Sequence, residues 1–165
     1  MNLFPWLLFA HVFGAIIAFG ASFSTFPLLG AMSGKNPAHA NFGSRVSVAI
    51  SEKVVRPFAI LQGLTGVGLI WAADIDLTKT LWLDVAIVIY LVALGYALFV
   101  QIPNGRRIVE LTSGGPPPSP PSGSPAAPAG PPPELLAAAG KARRGGMLIA
   151  ILITIIVFLM VVKPF

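Results

Sequence analysis

The sequence predicts an all-α integral membrane protein: a bundle of four transmembrane helices, both termini outside, with a long Pro-rich cytoplasmic link between helices three and four. Three observations predict it. Of 165 residues, 55% are hydrophobic and only 10% charged, with mean hydropathy +0.82, outside the range of a soluble domain of this length. The apolar residues gather into four runs of the length needed to cross, or nearly cross, about 30 Å of hydrocarbon. The cations are shared unequally between the links that join those runs.

The first run, residues 3–31, has Pro5 in its opening turn, where a missing N–H is not needed, and contains one ionisable side chain, His11. Helical spacing puts His11, Gly14, Ala15, Ala18, Ser22 and Thr25 on a single stripe. The only titratable group therefore shares its face with the smallest side chains, and that face is expected to meet other helices rather than lipid. The absence of a positive n-region and the length of the run argue against a cleaved signal peptide. Asn36 followed by Pro37 is a helix-start signal. Residues 44–56 mix Val46, Val48, Ile50, Val54 and Val55 with Arg45, Glu52, Lys53 and Arg56, the composition of an amphipathic interfacial lead-in. The second span follows at 57–73, with Pro57 expected to kink the join and Gln62, Gly63, Thr65, Gly66 and Gly68 giving it a small-residue character.

Trp71 and Trp82 flank the acidic link that holds Asp74 and Asp76, as rings at a membrane interface do. The third span, 80–101, carries Asp84 and, three turns further on the same face, Gly95. Its helix is expected to run a turn or two past Gly105. Residues 114–133 are a Pro/Gly/Ser tract without core-forming side chains, read as an extended polyproline-type linker. A short helical turn then leads to the fourth span, 147–162, an aliphatic helix with Thr154 as its polar group. The whole chain is thus a single membrane domain.

Orientation follows from the cations. Residues 33–56 and 102–146 hold nine of the eleven Lys and Arg, whereas the opposite side holds Lys79 and Lys163. By the positive-inside rule the links rich in cations are cytoplasmic and both termini outside. The same distribution explains the net charge of +5 without nucleic acid. Cysteine is absent, which removes disulfides, iron–sulfur clusters and thiolate metal sites, whereas haem, chlorin or quinone binding needs no cysteine.

Two intramembrane groups are candidates for chemistry, His11 and Asp84. Both fall in the outer half, about 6 Å apart in depth at 1.5 Å per residue, so a His–Asp pair would form if helices one and three touched. The plain alternative is that His11 hydrogen-bonds a neighbouring helix and that Asp84 sits favourably at a helix N-terminus. Five-coordinate haem b or a chlorin on His11 stays open, as does a quinone beside it. His39 lies on the other side of the membrane, and Met160 is too shallow to share a haem with His11. Gly14, Ala18, Ser22, Gly63, Gly66 and Gly95 are expected to serve close helix packing.

The stretches HVFGAIIAFGASFSTFPLL, SEKVVRPFAILQGLTGVGLI and LWLDVAIVIYLVALGYALFVQ resemble the bacterial four-helix membrane family DUF2269. They are more distantly similar to copper-resistance D-like proteins and to HemJ-type protoporphyrinogen oxidases, which share a first-helix His followed by small residues. The oxidase resemblance implies haem at His11. It also calls for a Trp-Leu-x-x-Lys opening of the third helix, where this chain has Trp82, Leu83, Asp84, Val85 and Ala86, with Ala86 in place of the lysine. The DUF2269 resemblance implies the fold and no particular reaction. The expected function is a non-catalytic subunit or scaffold of a larger assembly in the bacterial inner membrane, in contact with lipid and with other membrane subunits or itself. The alternatives are a small haem- or chlorin-binding redox or pigment protein with His11 as axial ligand, and a copper-handling or transport protein, for which no Met-rich or multi-His cluster exists.

Overall fold

The computed structural model describes the backbone of residues 3–32, 37–113 and 131–164, and the side chains of 3–24, 39–113 and 131–164. Thr25 of the small-residue stripe, Lys35, Asn36 and nearly all of the Pro-rich tract lie outside the described side chains. In chain order the helices are α1 (Phe4–Met32), α2 (Pro37–Ile50), α3 (Arg56–Ala72), α4 (Leu81–Tyr96), α5 (Ile102–Ser113) and α6 (Pro133–Val162). A five-residue π-turn, Ser51–Val55, joins α2 to α3 without a break, and a second, Ala97–Gln101, joins α4 to α5. No strand occurs among the described residues. Among the described residues four helices are long and apolar enough to cross a membrane: Phe4–Ser24, His39–Ala72, Leu81–Ser113 and Pro133–Val162.

The expected spans are the apolar stretches of these longer rods. α6 starts at Pro133, and its 30 residues reach about 45 Å, some 15 Å more than the hydrocarbon layer. The surplus gathers at one end, where α2, α5 and the first turns of α6 form a polar three-helix extension. Asn41 Nδ2 donates to Thr112 Oγ1 at 2.8 Å, and Arg106 pairs with Glu52, which ties α5 to α2 and its π-turn. α5 meets α6 in antiparallel register: Gln101 Nε2 donates to the Ala142 carbonyl at 2.9 Å, Asn104 Nδ2 to the Ala138 carbonyl at 2.9 Å, and Arg107 pairs with Glu134 at 2.9 Å.

The two π-turns answer two prolines. Pro57 and Pro103 each stand two residues after the end of a π-turn. Proline lacks the N–H for the usual bond, and its ring collides with the carbonyl four residues back. The wider turn relieves that collision: the Arg56 N–H reaches the Ser51 carbonyl and the Ile102 N–H the Ala97 carbonyl, five residues back. The join at Pro57 is therefore a bulge inside one rod.

At the far end, α3 closes at Asp74, whose φ of 50° is left-handed, a conformation that a short polar side chain tolerates. The Asp76 carboxylate accepts from the Thr78 N–H at 3.0 Å and the Thr78 hydroxyl at 2.6 Å, and takes Lys79 at 3.0 Å. Those partners, the Thr78 hydroxyl foremost, hold the Asp76 carboxyl below its ordinary range. Lys163 caps α6 with φ 48° and places its ammonium 5.3 Å from the Trp82 ring, so the C-terminus shares this end with the link between α3 and α4.

Within the bundle α1 packs on α3 and α4 on α6. The interior combines small groups, with Ala18, Ala86, Ala93 and Thr65 buried, and the large aliphatic side chains Leu83, Ile153, Ile156 and Leu159 between α4 and α6. On α1 and α3 large side chains face out in helical stripes: Trp6, Phe9, Phe13 and Ile16 on α1, and Ile60, Leu64, Val67 and Trp71 on α3. An exterior this apolar is unlike that of a soluble bundle and fits a lipid surround.

Candidate functional site

α1 meets α3 through His11. The Thr65 hydroxyl donates back to the Leu61 carbonyl at 2.8 Å, a common use of a threonine inside a helix. Its oxygen, 3.0 Å from His11 Nδ1, is then left to accept. Nδ1 therefore carries the proton, and Nε2 offers its lone pair to Gln62 Nε2 at 2.8 Å. The tautomer follows from these bonds. Gly66 leaves room for the ring, since a Cβ there would stand 3.4 Å from His11 Cε1. Gly14 does the same for Gln62, whose Oε1 would lie 3.2 Å from a Cβ at that position. That oxygen is buried without a partner.

The structure thus brings His11, Gly14 and Gly66 together, with Gln62 and Thr65, and does not bring Asp84 to them. Asp84 is half-buried in the first turn of α4, a helix that packs on α6, whereas α1's partner is α3. The glycines of α3 accommodate this pairing, because Gly66 makes room for His11 and Gly68 for Leu7 of α1. The other expected packing residues divide. Ala18 is buried, and Ser22 donates to the Ala18 carbonyl at 2.7 Å. Gly63 receives Tyr90, whose hydroxyl would lie 2.6 Å from a Cβ and donates to the Ala59 carbonyl at 2.8 Å. The close approach expected at Gly95 is not there: a Cβ would meet nothing within 4 Å among the described residues. Small volume alone does not show where a partner lies.

A second feature lies between the two bulged rods. A cavity of about 150 Å³ opens between the two π-turns, with Ser51 and Arg56 from one side and Ala97 and Gln101 from the other. Ser44, Ser47 and Ser51 line it at helical spacing, and Leu94, Leu98, Ile149 and Ile153 supply apolar walls. Beside it Gln101 Oε1 is buried without a partner, and the same oxygen and the Tyr96 hydroxyl crowd Gly145, where a Cβ would collide with both. Gln101, Gly145 and the serine stripe escaped the sequence reading. The signal available was the pair of prolines, each after an otherwise uninterrupted helical pattern, since π-turns frequently mark functional sites. No group of three His, Asp or Glu side chains that could hold a metal occurs among the described residues.

A family model described as "Predicted integral membrane protein (DUF2269)" matches residues 5–113, from α1 through α5. No curated protein and no solved structure matches the chain. Nothing in these comparisons ties it to copper-resistance D-like or HemJ-type proteins.

Proposed function

The chain belongs to the DUF2269 family of integral membrane proteins, and on that premise we propose that it is a non-catalytic subunit or scaffold of a larger assembly in the bacterial inner membrane. The supporting observation is the state of His11. Both ring nitrogens are used by α3, Nδ1 on Thr65 and Nε2 on Gln62, so the intramembrane histidine clamps two helices together. An axial ligand to haem or a chlorin needs the Nε2 or Nδ1 lone pair. In this tautomer that lone pair is Nε2, and freeing it would leave the Gln62 amide buried with neither of its ends bonded. These residues therefore do not fit the tetrapyrrole reading, and no reaction step is assigned to it. The outward apolar stripes of α1 and α3 offer surfaces to lipid and to other membrane subunits or a second copy. In this reading the basic three-helix end is cytoplasmic and both termini face out, from the nine-to-two division of Lys and Arg.

Purification of the full chain from its own membranes in mild detergent tests the proposal. Stoichiometric co-purification of other membrane proteins, or of a second copy, from a colourless preparation is the expected result. A Soret band in the purified chain that disappears in His11→Ala would replace the scaffold reading with the redox one. A reporter inserted in the Pro-rich link should be active only if suited to the cytoplasm; periplasmic activity would reverse the orientation.

A further inference from the structure

We propose that the cavity between the two π-turns binds the headgroup of an anionic phospholipid. The inference goes beyond the scaffold role and does not depend on it. Charge complementarity is the first argument. No carboxylate lines the cavity, and Arg56 at its rim makes no ion pair among the described residues, whereas nearby Arg106 and Arg107 are matched by Glu52 and Glu134. The Arg56 guanidinium is thus an uncompensated cation beside a partly closed space.

The remaining polar groups suit a phosphate ester with hydroxyls. The Ser47 and Ser51 hydroxyls make no hydrogen bond among the described residues and are free to donate to phosphate oxygens. Ser22 and Ser44 donate to the Ala18 and Ala40 carbonyls of their own helices and keep lone pairs to accept from a headgroup hydroxyl. The apolar walls at Leu94, Leu98, Ile149 and Ile153 demand an amphiphile with a hydrocarbon portion rather than a bare anion.

Depth points the same way. Arg56 is the last charged residue before the apolar run of α3, and Gln101 stands near the end of the apolar run of α4 and its π-turn. The cavity therefore straddles the boundary between hydrocarbon and the basic end, where a lipid phosphate sits. Basic pockets between transmembrane helices are a recurrent means of holding anionic headgroups. About 150 Å³ matches a group of benzene size, enough for a headgroup fragment and too small for a tetrapyrrole.

The test is titration of the full chain in detergent with phosphatidylglycerol, phosphatidylcholine or inorganic phosphate, read by native mass spectrometry. One phosphatidylglycerol per chain is expected to bind in preference to phosphatidylcholine. Arg56→Gln, at an exposed position that leaves the fold intact by circular dichroism, should weaken it about fivefold. Ser51→Leu, which fills the cavity, should weaken it at least as much. Arg45→Gln, exposed on α2 and outside the cavity, should leave it within about twofold. Equal losses in Arg45→Gln and Arg56→Gln would overturn the proposal in favour of diffuse attraction to a basic surface. Unchanged binding in Arg56→Gln would overturn it whether or not Ser51→Leu folds. Displacement of the lipid by inorganic phosphate at equal concentration would assign the cavity to a free anion instead.

Discussion

Two glutamines sit over two glycines, and the difference between them shows how each half of the bundle is held. Gln62 of α3 lies over Gly14 of α1, and Gln101, at the end of the second π-turn, lies over Gly145 of α6. In both, the amide N–H is used and the amide oxygen is buried without a partner. Gln62 spends its donor on another side chain, His11, and leaves only slight slack at the glycine, where a Cβ would stand 3.2 Å from Oε1, tighter than ordinary contact but short of collision. Gln101 spends its donor on the Ala142 backbone and leaves none, because a Cβ at Gly145 would strike Oε1 and lie 2.6 Å from the Tyr96 hydroxyl. Both contacts are made by side-chain ends, but the second is closer, comes from two side chains, and includes an amide held to the Ala142 carbonyl.

That difference predicts the largest effect. Gly145→Ala should destabilise the chain by about 1–3 kcal/mol, the usual cost of overpacking, in equilibrium unfolding in mixed micelles. Gly14→Ala in the same assay should cost less than about 1 kcal/mol, since a shift of the Gln62 side-chain end by a few tenths of an ångström relieves the contact. Equal costs would erase the contrast. Gly95→Ala supplies the reference, because with open space around it the substitution should be neutral or slightly stabilising through helix propensity.

A step smaller is Gly63→Ala, which meets Tyr90. The cost should be about 1–2 kcal/mol in the native background and at most half of that in Tyr90→Phe, because removing the hydroxyl moves the nearest atom from 2.6 to 3.2 Å. An unchanged cost in the double variant would show that the ring, rather than its hydroxyl, fills the space.

These glycines also show where sequence reasoning reached. Four apolar runs and their cations made the four-helix architecture legible, because hydrocarbon thickness and the cost of burying charge act on composition alone. The stripe with His11, Gly14 and Ala18 was legible as an interhelical face for the same reason. Its partner was not, since the spacing of Asp84 and of Gln62 and Thr65 is equally compatible with helix one, and only three-dimensional packing chooses between α3 and α4. The glycines themselves were read as allowing backbones to approach. In the structure most make room for a side chain instead: Gly63 for Tyr90, Gly66 for His11, Gly68 for Leu7, Gly105 for Val48 and Gly145 for Gln101. The cavity was invisible because it depends on two π-turns, and a proline in a helical pattern does not say whether the helix breaks, kinks or widens.

The His11 contact can be sharpened by a double-mutant cycle. His11→Ala and Gln62→Ala each remove one side of the 2.8 Å bond, and their coupling should be about 0.6 kcal/mol and no more than about 1.7 kcal/mol, the range for interhelical hydrogen bonds within membranes. The corresponding cycle cannot be built for Gln101, whose acceptor is a backbone carbonyl, so Gln101→Ala stands alone. A coupling near zero for His11 and Gln62 would remove the clamp on which the scaffold reading leans.

The smallest effect lies outside the bilayer, in the turn between α3 and α4. The Asp76 carboxyl is held below its ordinary range by the Thr78 hydroxyl, then by Lys79 and the Thr78 N–H. A depressed carboxyl favours the folded turn above the unfolded pKa, and that contribution is lost as pH falls through the lower folded value. Acidification into that range should therefore lower the protection of the Thr78 amide, its exchange measured against the intrinsic rate at the same pH, while leaving the protection of the α3 and α4 amides unchanged. Asp76→Asn keeps an acceptor without the charge, so it should exchange faster at neutral pH and show no such acid dependence. The contact is fully exposed and local, so a change that spread into α4 would mean that this turn, and not the glycine contacts, sets the register of the two rods.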